Sequence, residues 1–435
     1  MKICILSSGS AGMYCGSCMR DNTLAAALMR MKHDVTLIPL YTPTKTDIPD
    51  VSVKSVFLGG INIYLQHASK LFRYTPRVFN WVLDRPWILN MAGQYGSKKQ
   101  YSELGELTVD LLRGPKGMAI KEIRRLADFI RNSLKPDVVS LPNLMFMGVA
   151  KIFREELNIP VICELTGEDI FLDALDRADQ IQARELIRQQ VPYVNQFVST
   201  SNFYAGKMAH YLDIPVDRIK VVHPGLPKEF LDAVAHQKQQ TGSVEKKLRT
   251  IGYMARICPE KGIDKLIEAV CHLKETAGFE DVQLQCAGYL GKRDADFFAE
   301  LQKKLATSAM RTSMKFLGEV DQAQKIKLLL TSDVFSVPTV YQESKGIYLL
   351  EAMACQVPAV QPAHGSFPEL LDATQGGVTV APNDALSLAK ALGELLNDPQ
   401  RCKSMGHGAA AIVNEKFTDI RMAEKMLSIY EEARG

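Results

Sequence analysis

The 435-residue sequence lacks several features that would place it in a special class of protein. No apolar run approaches the roughly 18 residues that cross a membrane, and the apolar start at residues 3–6 is too short for a signal peptide. Neither charge is in excess, since 52 basic and 49 acidic residues leave a net charge of +3. These absences predict a cytoplasmic globular protein without a nucleic-acid partner.

The nine cysteines predict neither a disulfide framework nor a metal site. Their number is odd and most are isolated in apolar segments, where a reduced cysteine behaves as a small hydrophobic residue. Only Cys15 and Cys18 are close together, and no second cysteine pair or histidine pair completes a zinc site, so we expect no metal. The two thiols open a predicted helix, whose positive end would lower a thiol pKa. A redox switch and a structural role both remain open, and the structural role is favoured.

Short β-branched runs alternate with helical patterns in both halves of the chain. Such alternation predicts α/β domains, each with a doubly wound parallel sheet. The predicted strands of the first half are residues 2–7, 35–40, 138–140, 161–165 and 197–200. Those of the second half are residues 250–254, 283–287, 314–317 and 334–338.

These patterns predict two Rossmann-like domains that face a cleft. The N-terminal domain covers residues 1–225 and the C-terminal domain residues 249–415. Between them, the glycine, proline and polar residues of 226–248 predict a solvated linker. Residues 416–435 are expected to form a C-terminal helix that packs back on the N-terminal domain.

An insertion at about residues 59–133 interrupts the alternation and carries Trp81 and Trp87. Its aromatic and basic residues suit contact with an acceptor, a membrane surface or a partner. The favoured alternative is a helical insertion that packs its aromatic residues on its own domain. The basic residues that would allow peripheral membrane docking are Lys70, Arg73, Arg77, Arg85, Lys98 and Lys99.

A turn rich in small residues follows the first strand, with glycines at Gly9, Gly12 and Gly16. Small residues let backbone amides approach a phosphate at a helix start, although the turn could also be purely structural. The glycine spacing does not fit the dinucleotide fingerprint, and the second strand ends without the acidic residue that holds a ribose. Binding of NAD is therefore disfavoured.

Two cations, Arg256 and Lys261, lie in the loop between the first strand and the first helix of the second half. Arginine offers a planar fork and lysine a point charge, so the two would neutralise a diphosphate without a metal. Their spacing is equally compatible with two solvated surface residues.

Two glutamates, Glu343 and Glu351, flank a predicted helix start after the strand at 334–338. The amides of Lys345, Gly346 and Ile347 would open that helix. Carboxylates on both sides of an anion-binding helix end match a nucleotide sugar, which has hydroxyls on both sides of a diphosphate. Taken alone, two glutamates at this spacing would be assigned to the surface.

These residues resemble the retaining glycosyltransferases of family 4, which have the GT-B fold of two facing Rossmann-like domains. The resemblance spans nearly the whole chain. It rests on Arg256, on Lys261 and on the E-x7-E element with Glu343 and Glu351. It rests also on the segments at residues 316–320 and 365–369.

The resemblance implies roles for individual residues. Catalytic roles fall on Arg256, Lys261 and Glu343. Donor-binding roles fall on Gly16, Gly288, Glu319, Val320, Ser344, Lys345, Gly346, Ile347 and Glu351. In this scheme Glu343 and the helix-opening amides hold the donor sugar, Glu351 the ribose, and Arg256 with Lys261 the diphosphate.

The implied activity is metal-independent hexosyl transfer from a nucleotide diphosphate sugar such as a UDP- or GDP-sugar. The anomeric configuration is retained without a protein nucleophile, and the departing β-phosphate oxygen takes the acceptor's proton. No cofactor is expected besides this donor substrate. The acceptor is of carbohydrate, lipid-linked or small-molecule class, and the protein is expected to be a monomer or a homodimer.

The chain departs from the family where Thr166 replaces the usual histidine of a His-Gly element and where Asn143 occupies an often histidine-containing position. The missing role could pass to Thr166, Glu168 or Asp169, and these residues with Asn143 are the candidates near the acceptor or the sugar. The alternatives are a nucleotide-sugar-binding protein with weak or lost catalysis, and a GT-B epimerase or phosphorylase. The second alternative needs a base or a cofactor lysine that the sequence does not place.

Overall fold

A computed structural model of the chain describes residues 1–9, 15–54, 56–57, 101–241, 248–306 and 312–435. The chain divides into two compact units. The N-terminal unit comprises Met1–Gly225 together with Asp419–Gly435, and the C-terminal unit comprises Leu226–Thr418. Each is built on one parallel sheet, which confirms the predicted α/β fold class.

The sheet of the N-terminal unit has six parallel strands in the described residues. They are β1 (Lys2–Ser7), β2 (Asp34–Pro39), β3 (Val138–Leu141), β4 (Val161–Leu165), β5 (Gln196–Ser199) and β6 (Ile219–Val221). Their order is β2-β1-β3-β4-β5-β6, so it reverses between β1 and β3. Four successive residues of β1 from Ile3 to Leu6 are buried, because helices cover both faces of a parallel sheet.

The helices of this unit up to Gly225 are α1 (Gly16–Arg30), α2 (Tyr101–Leu112), α3 (Ile120–Phe129), α4 (Asp169–Asp173), α5 (Arg177–Gln190) and α6 (Asn202–Leu212). Short stretches of 3-10 or π geometry occur at Gly114–Lys116, Ile130–Leu134, Leu144–Val149, Ile152–Glu156, Val191–Tyr193 and Val216–Arg218. Leu24 and Leu28 of α1 are fully buried one helical turn apart, which seats α1 against the sheet.

The sheet of the C-terminal unit also has six parallel strands in the described residues. They are β7 (Thr250–Met254), β8 (Gln283–Ala287), β9 (Met314–Phe316), β10 (Val334–Phe335), β11 (Ala359–Pro362) and β12 (Gly377–Val380). Their order is β12-β11-β10-β7-β8-β9, so the reversal lies between β10 and β7. This is the strand order typical of dinucleotide-binding Rossmann folds.

The helices of this unit are α7 (Lys228–Thr241), α8 (Ile263–Glu275), α9 (Ala295–Ala306), α10 (Gln322–Thr331), α11 (Ile347–Ala354), α12 (Phe367–Thr374), α13 (Ala385–Leu396) and α14 (Pro399–Lys416). Turns of 3-10 geometry occur at Pro259–Lys261 and Lys292–Asp294. Ile263, Leu266, Ile267 and Val270 of α8 are buried at helical spacing, which gives α8 an apolar stripe toward the core.

Helix α7 corrects the prediction of a solvated linker over residues 226–248. Phe230 and Val234 are one helical turn apart and almost completely buried, at 1% and 6% exposure. This short stripe packs α7 against α10 and into the core of the C-terminal unit, although the rest of its sequence is polar. Residues 242–247 lie outside the described part of the chain.

The C-terminal helix α15 (Asp419–Arg434) belongs to the N-terminal unit. It packs on α1, β3 and β4, and Arg30 of α1 forms an ion pair with Asp419 at its start. Its buried residues are Asp419, Met422, Ala423, Met426, Ile429 and Tyr430.

Residues 59–100 of the predicted insertion lie outside the described residues, and with them both tryptophans and the basic residues proposed for membrane docking. The described remainder of the insertion contains α2 and α3. In the described ranges, no helix is both long and apolar enough to span a bilayer.

We predict that Met426→Ala lowers the free energy of unfolding by about 2–5 kcal/mol, because Met426 is fully buried and its loss leaves a cavity. Urea denaturation measures the change. The control is Lys425→Ala at the neighbouring exposed position, which is expected to change stability by less than about 0.5 kcal/mol. Equal stability of the two variants would contradict the packing of α15 described here.

Candidate functional site

The strand order of the C-terminal sheet reverses between its two central strands, β10 and β7. In open parallel sheets, ligands bind beyond the carboxyl ends of the strands at such a reversal. The loop after β7 carries Arg256 and Lys261, and the segment after β10 leads to Glu343. The structure therefore brings all three predicted catalytic residues to this edge, and Lys261 directly contacts Glu343.

Glu343 lies at the centre of this group of residues beyond the carboxyl ends of β7 and β10. It is only 5% exposed, and the Nζ atom of Lys261 donates to its Oε2 atom at 2.7 Å. Four more donors reach the carboxylate: Tyr341 Oη at 2.7 Å, Tyr348 Oη at 3.1 Å, Ser344 N at 3.1 Å and Lys345 N at 3.4 Å. Glu343 thus ties the loop after β7 to the start of α11.

The electrostatics of this cluster favour an ionised Glu343. Burial alone would raise the pKa of this carboxyl. The charge and hydrogen bond of Lys261, a hydrogen bond from Tyr341 and the charge of Lys345 outweigh burial, and the pKa falls from 4.5 to about 2. Lys261 and Glu343 therefore form a buried pair of opposite charges at neutral pH.

Two tyrosines that sequence analysis did not select complete the cluster. Burial and the adjacent Glu343 raise the pKa of Tyr341 and Tyr348 well above 10, so both phenols remain hydrogen-bond donors. Their ring centroids lie 4.9 and 5.0 Å from the Nζ atom of Lys261, within the range of cation–π attraction. Proximity to Glu343 in the sequence was the one available signal.

Arg256 differs from Lys261 because its side chain is 41% exposed. Its Nε atom donates to the Sγ atom of Cys258 at 3.3 Å, and Nη2 lies 3.8 Å from Glu260. Arg293, from the segment after β8, also contacts Glu260, at 3.1 Å. The guanidinium of Arg256 is therefore contacted at Nε and Nη2, and its partial exposure leaves it accessible to a phosphate.

The start of α11 requires a glycine at Gly346. This residue has a φ of +67°, and a Cβ atom there would lie 2.8 Å from the Cδ1 atom of Leu370. No side chain caps the helix that begins at Ile347. The amides that open α11 are thus suited to an anionic or hydroxyl ligand, whereas the amide of Lys345 is directed to Glu343.

Three further residues that the resemblance assigns to donor binding, Gly288, Glu319 and Val320, lie at or beyond the carboxyl ends of β8 and β9. Gly288 has a φ of +157°, a Cβ atom there would be 1.7 Å from the carbonyl oxygen of Ala255, and its amide donates to the Gly318 carbonyl at 2.8 Å. Glu319 is exposed, while Val320 packs against the core. These residues are on the side of β7 opposite to Glu343.

Glu351, the predicted ribose ligand, lies inside α11 and is 6% exposed. Its Oε1 atom accepts a hydrogen bond from the Nζ atom of Lys325 at 2.6 Å. Lys325 is on α10 and was not selected from the sequence. Both glutamates of the E-x7-E element are therefore paired with lysines from other elements.

In the N-terminal unit, the structure brings together the residues at the carboxyl ends of β1, β3 and β4. Asn143 donates to Ser8 at 3.1 Å, and the hydroxyl of Thr166 donates to the Pro142 carbonyl at 3.3 Å. The carboxylate of Glu168 accepts from the amide of Thr166 at 2.7 Å and from the amide of Leu144 at 3.2 Å. Burial raises the pKa of Glu168, although these amides oppose the shift.

Asp169 continues this cluster. Its Oδ1 atom accepts from the hydroxyl of Tyr204 at 2.6 Å, and its Oδ2 atom lies 2.6 Å from the Nζ atom of Lys207. Tyr204 and Lys207 are both on α6 and were not selected from the sequence. The two acidic residues hold the loops after β3 and β4 and helix α6 together.

Gly16 is the exposed first residue of α1, which no side chain caps. The preceding residues 10–14 lie outside the described residues. The expectation of a lowered thiol pKa is wrong for Cys18, because a hydrogen bond with Cys15 and burial raise the pKa of this thiol. Cys18 packs as a fully buried side chain.

Residues 235–411 match the family model described as glycosyl transferases group 1. An uncharacterised glycosyltransferase of Methanocaldococcus jannaschii is 27% identical over 94% of this chain and 92% of its own length. A GDP-mannose-dependent phosphatidylinositol monomannoside mannosyltransferase of Corynebacterium glutamicum is 32% identical over 30% of this chain. The matched region covers 35% of that relative's own length.

The crystal structure of Anabaena HepE in complex with UDP and glucose matches 99% of this chain and 99% of its own length. The TM-score is 0.67 at 16% sequence identity. The fold is GT-B. With the family model and the relatives, the GT-B fold supports a glycosyltransferase.

We predict that the free energy of unfolding of this GT-B protein depends on the ionisation of Glu343 at acidic pH. The folded-state pKa of about 2 is below the ordinary 4.5, so Glu343 contributes stability above pH 4.5 that is lost as the pH falls toward 2. The full contribution is about 3 kcal/mol. Urea denaturation between pH 5 and 3 measures the slope of unfolding free energy against pH.

In Glu343→Gln, this slope is expected to fall by up to one proton equivalent, because the amide does not titrate. The control is Glu268→Gln on the surface of α8. Identical slopes for wild type and Glu343→Gln would contradict the ionised, buried state of Glu343.

Proposed function

We propose that the protein is a retaining glycosyltransferase of family 4 that transfers a hexosyl group from a nucleotide diphosphate sugar to an acceptor. The observation that carries the proposal is the Lys261–Glu343 pair, with Arg256 in the same loop, at the strand-order reversal of the C-terminal sheet. A diphosphate at this edge would meet two cations and the uncapped start of α11.

In this proposal, Glu343 positions Lys261 and the loop after β7. Its oxygens are engaged by five donors of the protein itself, so it holds Lys261 and the loop in place. Two hydrogens of the Lys261 ammonium are directed to Glu343 and Tyr341. The third has no hydrogen-bond partner in the described part of the chain and would reach a phosphate oxygen.

The reaction would break the bond between the anomeric carbon and the β-phosphate oxygen and form a bond from that carbon to the acceptor oxygen on the same face. The acceptor's proton passes to the departing phosphate oxygen. Arg256 and Lys261 would stabilise the negative charge that develops on this leaving group, which is the role a metal ion has in other transferases. We therefore propose metal-independent transfer.

The relatives support a nucleotide-sugar donor. The mannosyltransferase of Corynebacterium glutamicum is GDP-mannose-dependent by its name, and HepE was crystallised with UDP. We propose a UDP- or GDP-hexose as donor and an acceptor of carbohydrate, lipid-linked or small-molecule class. Asn143, Thr166, Glu168 and Asp169 are proposed to shape the acceptor side, with the two acidic residues as positioning groups.

A nucleotide-sugar-binding protein with weak catalysis is the second candidate. Its support is Thr166, which stands in place of the family's histidine and whose hydroxyl is directed to the Pro142 carbonyl. Release of a nucleoside diphosphate from a bound donor separates the two, because a binding protein retains the sugar nucleotide intact.

We predict that UDP, GDP or ADP raises the thermal unfolding temperature of the protein, whereas NAD does not. A ligand at a hundred times its Kd stabilises the native state by about 2.7 kcal/mol. The shift is expected to be lost in Glu351→Ala. No shift with any diphosphate, or a shift with NAD alone, would contradict the proposed donor site.

We predict that Lys261→Met lowers kcat for donor consumption about 100- to 1,000-fold while the Kd of the donor changes less than about tenfold, since the charge of Lys261 acts mainly on the leaving diphosphate. Arg256→Met is expected to act similarly without unpairing a buried charge. Diphosphate release from UDP-glucose and GDP-mannose measures kcat, and circular dichroism confirms folding.

The matched control is Lys265→Met on α8, where the lysine pairs with Glu268 at the surface. Its kcat is expected within about twofold of wild type. Wild-type turnover in both Lys261→Met and Arg256→Met would remove the catalytic assignment of these cations.

A further inference from the structure

A contribution to folding stability does not explain the buried ion pair between Lys325 and Glu351. The side chains of Lys325 and Glu351 are only 8% and 7% exposed, and their charged atoms are 2.6 Å apart. Burial of two charges costs desolvation energy, and replacement of such pairs by apolar residues is often neutral or stabilising. A buried pair inside a proposed ligand site therefore indicates a function for its charge.

A third element supports this pair. The Nζ atom of Lys325 lies 5.1 Å from the centroid of the Phe230 ring. Phe230 is on α7, Lys325 on α10 and Glu351 on α11, so one ammonium joins three helices of the C-terminal unit. The aromatic face offers a cation an attractive surface in place of water.

We propose that Lys325 is a positioning residue that orients Glu351 for recognition of the donor's ribose, and thereby makes the protein selective for ribonucleotides over deoxyribonucleotides. The inference rests on the proposed function. The hydrogen bond from the Lys325 ammonium to Oε1 fixes the orientation of the Glu351 carboxylate. A fixed carboxylate accepts hydrogen bonds from ribose hydroxyls, whereas a deoxyribose lacks one of the hydroxyls that would donate to it.

The test compares the Kd of UDP, GDP and ADP with that of their 2′-deoxy and 3′-deoxy forms by calorimetry on the full chain. In wild type, removal of a hydroxyl bound by Glu351 is expected to raise Kd about 10- to 100-fold. In Lys325→Met, this penalty is expected to fall below about threefold. Lys325→Arg keeps the charge and is expected to restore most of the penalty.

Two further variants keep the test decisive. Lys327→Met, at an exposed position of the same helix, is the matched control and is expected to keep the wild-type penalty. If Lys325→Met does not fold, Lys325→Gln replaces it, because its amide can still donate a hydrogen bond to Glu351. Its penalty is expected to lie between the wild-type value and the threefold limit given for Lys325→Met.

The outcomes separate this inference from the proposed function. A wild-type protein that binds none of the three diphosphates contradicts the proposed function. In a second outcome, the protein binds one of the diphosphates, and removal of a ribose hydroxyl raises Kd equally in wild type, Lys325→Met and Lys325→Gln. This outcome contradicts the role of Lys325 and leaves the donor site in place.

Discussion

The buried pair of Lys261 and Glu343 is the interaction on which the proposed site depends. It lies where the strand order of the C-terminal sheet reverses, so the loop after β7 and the segment after β10 meet there. A buried carboxylate is tolerated only when it is paired and hydrogen-bonded, and Glu343 meets this requirement with one ammonium, two phenols and two amides. The same contacts fix a lysine at the edge of the sheet, where it is available to an anion.

The second glutamate, Glu351, lies eight residues after Glu343 and repeats this arrangement with Lys325. Phe230 extends the arrangement to α7, the first helix of the C-terminal unit. Each glutamate of the E-x7-E element therefore forms an ion pair with a lysine. The two ion pairs connect α11 and the segment before it to two different elements. In the proposed function, the Lys261–Glu343 pair contributes to binding of the diphosphate and the Lys325–Glu351 pair to binding of the ribose.

Strands with consecutive buried residues were predictable from the sequence, because a parallel sheet covered on both faces needs uninterrupted apolar runs. The strands Val161–Leu165, Thr250–Met254 and Gln283–Ala287 have the predicted bounds. Helix α7 was missed because two buried residues on a polar helix give a weak pattern. Lys325, Tyr204 and Lys207 were missed because their partners are 26 or more residues away in the sequence, and a sequence pattern carries no sign of such pairing.

A crystal structure of the full chain with UDP or GDP would test the proposed donor site. Phosphate oxygens are expected within about 3 Å of the Arg256 guanidinium and the Lys261 ammonium, with ribose hydroxyls hydrogen-bonded to Glu351. A nucleotide bound elsewhere on the chain, with the Lys261–Glu343 edge vacant, would contradict the proposed donor site.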